Sequence, residues 1–126
     1  MTKEIPPILV LLILDFLWIG LFMANRYQNE IRQIQGTPMS VNMTYAAISY
    51  ALMVVGLINF VLPNIRSEHR FYDSIKYGFL FGIVMYGIYD FTAAAVISKW
   101  NMRTAILDVL WGGTVFFLAS YIGGSF

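Results

Sequence analysis

The chain has no cysteine. Disulfides, thiolate metal centres and cysteine nucleophiles are therefore excluded, while nothing follows about redox compartment. There is one histidine, His69, and it stands in a polar stretch, so this chain alone cannot build an imidazole-rich metal or haem site inside an apolar segment. Charge is scarce as well. Only 12% of the 126 residues are Asp, Glu, Lys or Arg, about half of what a soluble domain carries. Eight cations and seven anions leave a net charge of +1, which gives no electrostatic basis for a nucleic-acid partner.

What the chain does have is apolar surface: 59% of its residues are hydrophobic. In water so much would leave wide apolar patches exposed, and a bilayer as solvent removes the difficulty. A spanning helix needs about 20 mostly apolar residues to cross about 30 Å of hydrocarbon. Four stretches qualify, residues 5–24, 43–62, 75–97 and 104–121. The expected architecture is an all-α membrane protein, a compact bundle of four transmembrane helices forming one domain over residues 1–126, with no soluble domain and with the lipid bilayer as its principal partner. The runs are continuously apolar and do not alternate, unlike β-barrel strands. The first run reads as a span and not as a cleaved leader, since Lys3 and Glu4 both precede it, Asp15 interrupts it, and it exceeds the usual length of such a segment.

The punctuation is polar. Residues 25–42 and 63–73 connect the first three spans, and residues 98–103 make so short a link that the third and fourth spans must form an antiparallel hairpin. Pro6 and Pro7 suit a helix start and Pro63 a helix stop. Orientation is a tie: Lys3, Arg66, Arg70 and Lys76 fall on one side, Arg26, Arg32, Lys99 and Arg103 on the other. Tyr27, Tyr72, Tyr77, Trp100 and Tyr121 lie near span ends and read as an interfacial aromatic belt.

Three aspartates break the apolar runs: Asp15, Asp90 and Asp108, in the first, third and fourth spans. Each costs about 2.5–3.5 kcal/mol at a helix centre, which about thirteen Ile, Leu, Val and Phe residues in the first span offset. No lysine or arginine sits at a span centre to pair with them, and ionisable groups so placed face a bundle interior. At 1.5 Å per residue, Asp90 lies about 13 Å from Lys99, Asp108 about 8 Å from Arg103 and Asp15 about 16 Å from Arg26, all measured from one membrane face. The three can therefore share one half of the bundle. Carboxylates meeting in a low dielectric cannot all stay ionised unless a cation joins them.

The neighbours of these aspartates repeat. Leu14-Asp15-Phe16-Leu17-Trp18-Ile19-Gly20 and Leu107-Asp108-Val109-Leu110-Trp111-Gly112-Gly113 both read L-D-x-L-W-x-G. Trp18 and Trp111 each stand three residues after an aspartate, on the same helical face, and an indole N–H is a pure donor suited to a carboxylate. The pair is either the trace of an internal repeat or a coincidence in a small apolar alphabet. An internal repeat on antiparallel helices places its axis in the membrane plane. Gly20 and Gly112 permit close helix approach, and Gly78 and Gly82 form a GxxxG surface in one row with Tyr86 and Asp90, with Tyr89 adjoining. Packing within the bundle is preferred over a dimer interface for that row. The second span offers Tyr45, Ser49, Tyr50 and Asn59 but no charge, and reads as support.

These residues also carry a resemblance. Asp15, Trp18, Gly20 and Tyr27, then Ala47, Tyr50, Gly56, Phe60 and Pro63, then Gly78, Gly82, Tyr86, Tyr89, Asp90 and Thr92, then Trp100, Asp108, Trp111 and Gly112 resemble the DUF2177 family of small membrane proteins. The resemblance covers nearly the whole chain, with Y-x-x-Y-D-F-T and D-V-L-W-G its most specific pieces. One departure is Ala93, where the family pattern has Asn beside the acidic position. The resemblance implies a four-helix fold and brings no assigned activity or cofactor.

Three functions compete. The first is a proton- or cation-linked channel or transporter using Asp15, Asp90 and Asp108, oriented by Trp18, Trp111, Tyr86 and Tyr89. Four short helices leave little room for a pore, so this reading implies a homo-oligomer. The second is an accessory or structural subunit of a larger membrane complex, with the aspartates as a hydrogen-bonded network holding helices together at roughly 1 kcal/mol per contact. The third is a membrane enzyme using paired carboxylates on a lipid or isoprenoid. No nucleophile–base–orienter set, phosphate-binding glycine loop or metal-ligand spacing supports it, so a non-enzyme is preferred.

Overall fold

A computed structural model of the chain describes residues 5–18, 20, 32, 34 and 43–123. Four helices carry the fold: α1 (Ile5–Leu17), α2 (Met43–Asn64), α3 (Ser67–Val96) and α4 (Met102–Tyr121). The described residues contain no strand. The last three helices are long and apolar enough to cross a membrane. α1 has 13 described residues, the helical path continues at Trp18 and Gly20, and the remainder of the expected first span, like Tyr27 and Arg26, lies outside the described residues.

The faces are inverted relative to a water-soluble helix. On α1 the exposed stripe is Ile5, Leu9, Ile13 and Phe16, while Pro7, Leu11 and Asp15, spaced by four, are buried. Lipid takes the apolar face, and the one ionisable side chain turns inward. α4 is the central helix. Its buried side is small or branched (Ala105, Gly112, Gly113, Val115, Phe116, Ala119, with Asp108 and Ser120), and α1 and α3 pack against it. α1 runs antiparallel to α4, since Gly123, just past the end of α4, abuts Pro7 at the start of α1.

The GxxxG row of α3 is spent inside the bundle, as the sequence pattern favoured. A Cβ at Gly78 would meet Ser120 and the Phe116 carbonyl, one at Gly82 would meet the Gly112 carbonyl, and one at Gly112 would meet the Tyr86 ring. The two helix backbones touch there, and this contact sets the depth at which Tyr86 and Asp90 meet α4. Gly20 differs: nothing lies within 4 Å of the position its Cβ would take. The expected packing role of Gly20 finds no contact among the described residues, so of the two motif glycines only Gly112 carries the approach.

The α2–α3 link corrects the expected boundaries. Residues 63–73 are not a loop. α2 runs to Asn64 and α3 begins at Ser67, with only Ile65 and Arg66 extended between them. The Asp73 carboxyl closes this reversal by accepting from the Arg66 backbone N–H at 2.9 Å, from Nε at 2.9 Å and from Nη2 at 3.1 Å. α3 has 30 residues, about 45 Å of helix, more than the about 30 Å of hydrocarbon. Its first turns therefore stand in the polar zone, which is why they lack an apolar signature. Pro63 lacks the N–H that would meet the Asn59 carbonyl, and the helix before it widens into a π turn over Leu57–Val61. Asn59 and Asn64 each donate a side-chain N–H to a carbonyl four residues back, Val55 at 2.8 Å and Phe60 at 2.9 Å. At the other link Asn101 caps α4 by accepting from the Thr104 N–H at 3.1 Å.

Candidate functional site

Helix α1 delivers Asp15 to the interior at 4% exposure, α3 delivers Asp90 at 2%, and α4 delivers Asp108 at 6%. They do not gather around one point. Among the described residues no three acidic or histidine side chains stand close enough to hold a metal ion. The expected shared centre resolves into a single carboxyl and a pair.

The single carboxyl is Asp15. Its Oδ1 accepts from the Tyr86 hydroxyl at 2.8 Å and from the Trp111 Nε1–H at 3.0 Å. One oxygen thus ties α1 to both α3 and α4. Tyr86 reaches it because its ring lies against Gly112, where any larger residue would displace the ring. Trp18 and Trp111 stack with ring centroids 4.7 Å apart and planes 8° from parallel. The two L-D-x-L-W-x-G stretches therefore meet face to face, and the donor to Asp15 is the tryptophan of the opposite stretch. The stack joins the two stretches across antiparallel helices, the placement that an internal repeat about an in-plane axis requires.

The pair is Asp90 with Asp108, whose carboxyls lie close enough to interact. A carboxyl–carboxyl hydrogen bond requires a proton, because an ionised carboxylate only accepts. Trp100 also lies close enough to interact with Asp90, and Asp90 Oδ2 is buried without a hydrogen-bond partner among the described residues. Tyr86 feels the charge of both Asp15 and Asp108, so it stands between the two sub-sites. Tyr89, expected to line the site, is instead exposed; its ring meets Trp100 edge-on at 6.0 Å and 79°. It also lies close enough to Asp90 and Asp108 to interact with both.

Two contributors were not expected. Trp100, a span-end aromatic by sequence, lies close enough to Asp90 to interact. Tyr50 of α2, read as support, lies close enough to interact with Asp15. In sequence Trp100 stands ten residues after Asp90 beyond a helix end, so only the fold-back at residues 97–101 places it. Tyr50 had a weak signal, a phenol within an otherwise apolar run at a depth comparable to that of Asp15.

No curated protein and no solved structure matches the chain. The DUF2177 family, described as a predicted membrane protein, matches residues 4–125. The three membrane-length apolar helices and the lipid-facing apolar stripes agree with that description, and the chain belongs to this family of membrane proteins.

Proposed function

We propose that this membrane protein is a proton- or cation-linked channel or transporter, in which the Asp90–Asp108 pair holds a proton and Tyr86 links it to Asp15. The observation that carries the reading is the carboxyl pair itself: two buried acidic side chains close enough to interact, with an Asp90 oxygen that has no hydrogen-bond partner among the described residues. Pure helix gluing is served by neutral amides or hydroxyls, which cost less to bury. Two carboxyls that share one proton form a site whose charge changes when the proton leaves or a cation replaces it. The Trp18–Trp111 stack adds support, since it joins the two similar stretches and inverted repeats with sites near the midplane recur among transporters.

The test is flux through vesicles holding the purified protein under an imposed pH or cation gradient. Wild type dissipates the gradient faster than empty vesicles, and Asp90→Asn and Asp108→Asn return the rate to that of empty vesicles. Wild type and Asp90→Asn that both leak only like empty vesicles end this reading.

A second reading, a homo-oligomer or a subunit of a larger membrane complex, draws on α2. Its first half turns only Ala46 and Tyr50 partly inward and leaves Thr44 and Ser49 exposed, while full burial is confined to Met53, Gly56, Leu57 and Val61. Hydroxyls on a lipid-facing helix favour a protein neighbour. Recovery of the protein only as a lone monomer, in mild detergent and after cross-linking in native membranes, counts against it.

A further inference from the structure

At the opposite end of the bundle Arg70 makes no ion pair among the described residues. Asp73 follows Arg70 by three residues on α3, a spacing at which helical ion pairs form. Its carboxyl is instead taken by Arg66 through three hydrogen bonds, and Arg66–Asp73 is the only ion pair among the described residues. Arg70 lies over the ring of Tyr121, with Cζ 5.2 Å from the centroid. That ring is held in place. Phe117 stacks on it at 5.6 Å and 10°, and Phe71 meets both rings edge-on, at 5.7 Å for Phe117 and 5.4 Å for Tyr121. The Arg70 Nε–H is buried, and no hydrogen-bond acceptor reaches it among the described residues.

A guanidinium fixed on an aromatic platform keeps its charge, loses little entropy on binding and offers a flat fork of donors matched to a phosphate. Its position chooses the source of that phosphate. Arg70 stands in the first turns of α3, beyond the hydrocarbon length, with Phe71 and Tyr72 exposed beside it. Exposed aromatics flanking a cation mark the headgroup layer. We infer that Arg70, seated on Tyr121, Phe117 and Phe71, binds the phosphate of an anionic phospholipid headgroup. This site is separate from the aspartates and does not rest on the transport reading.

Native mass spectrometry of the full chain tests it, with phosphatidylglycerol, phosphatidylcholine and inorganic phosphate as probes. Wild type retains phosphatidylglycerol adducts at least tenfold above phosphatidylcholine adducts. Arg70→Gln brings the two to the same level, and Lys76→Gln, which alters a cation lying instead over Tyr77 at 5.3 Å, leaves the preference in place. Equal retention of the two lipids by wild type, or an undiminished preference in Arg70→Gln, overturns the assignment. Displacement of the lipid by millimolar inorganic phosphate shows that the ligand is free phosphate and overturns the lipid source. If Arg70→Gln is not recovered folded, Arg70→Lys decides: the charge remains and the fork is lost, so the preference falls several-fold, and an unchanged preference overturns the proposal.

Discussion

Asp73 and Asp15 are both buried carboxyls, and the fold satisfies them in opposite ways. Asp73 faces an arginine that supplies two side-chain N–H groups and a backbone N–H. Asp15 faces a phenol and an indole, both neutral, from two other helices. The first arrangement is a local clasp between residues seven apart; it closes a turn and stays ionised at any pH near neutrality. The second is long-range and ties three helices through neutral donors. A fold that only needed a stable carboxyl had the arginine solution at hand and used it at one end alone. The other end keeps carboxyls beside neutral donors and beside each other.

The contrast depends first on the α3–α4 crossing, and breaking that crossing is expected to have the largest effect. Gly82→Leu drives a branched side chain into the Gly112 carbonyl, backbone that cannot rotate away. The expected loss is at the upper end of the about 1–3 kcal/mol typical of overpacking, or beyond it, with a matching fall in the melting temperature in detergent. Gly20→Ala is the control: its Cβ enters open space, and stability should stay within about 0.5 kcal/mol. A large loss at Gly20 and none at Gly82 would mean that the helices cross elsewhere.

The next effect sharpens the Asp15 side of the comparison. Asp15→Leu strands the Tyr86 hydroxyl and the Trp111 N–H in an apolar interior, at about 1–3 kcal/mol for a buried donor left unsatisfied. Asp15→Asn keeps an acceptor oxygen and should recover most of that loss. If the two variants melt alike, the hydrogen bonds at Oδ1 contribute nothing and the clasp-like view of this residue fails. Smaller again is Trp18→Leu, which removes the stack on Trp111 and is expected to cost about 0.5–1.5 kcal/mol beyond the lost apolar area. Near-ultraviolet circular dichroism should lose the signal of two coupled indoles, and its persistence in the variant would separate the rings.

The spans and the inward aspartates were legible because bilayer thickness and insertion cost act on residues close together in sequence. Asp15, Trp18, Trp111, Tyr86 and Asp90 were also reachable, since helical spacing from a known membrane face gives depth. What spacing cannot give is rotation about each helix axis. It therefore did not show that Asp15 stands apart from the Asp90–Asp108 pair, that Tyr89 turns outward, or that Tyr50 and Trp100 turn towards carboxyls. The start of α3 was hidden for another reason: its first turns lie beyond the hydrocarbon, so polarity there reflects water and not the end of a helix.

The smallest effect tests the Arg66–Asp73 clasp through pH. The Arg66 side chain, foremost by its hydrogen bonds, holds the Asp73 carboxyl down at about 2, below the ordinary value of about 3.9. A depressed value in the folded state contributes stability that is fully present above the ordinary value and is lost as pH falls through the folded one. Melting temperature should therefore be flat for this group from neutrality to about pH 4 and decline between about pH 4 and pH 2. The size is modest because Arg66 is largely exposed and solvent screens the pair. Asp73→Asn removes the titrating group, so its profile should lack that decline while sitting slightly below wild type at neutral pH. A variant that keeps the same acid decline would place the titration among the membrane-embedded carboxyls instead. In that case the Arg66–Asp73 clasp would not be the group that sets acid stability.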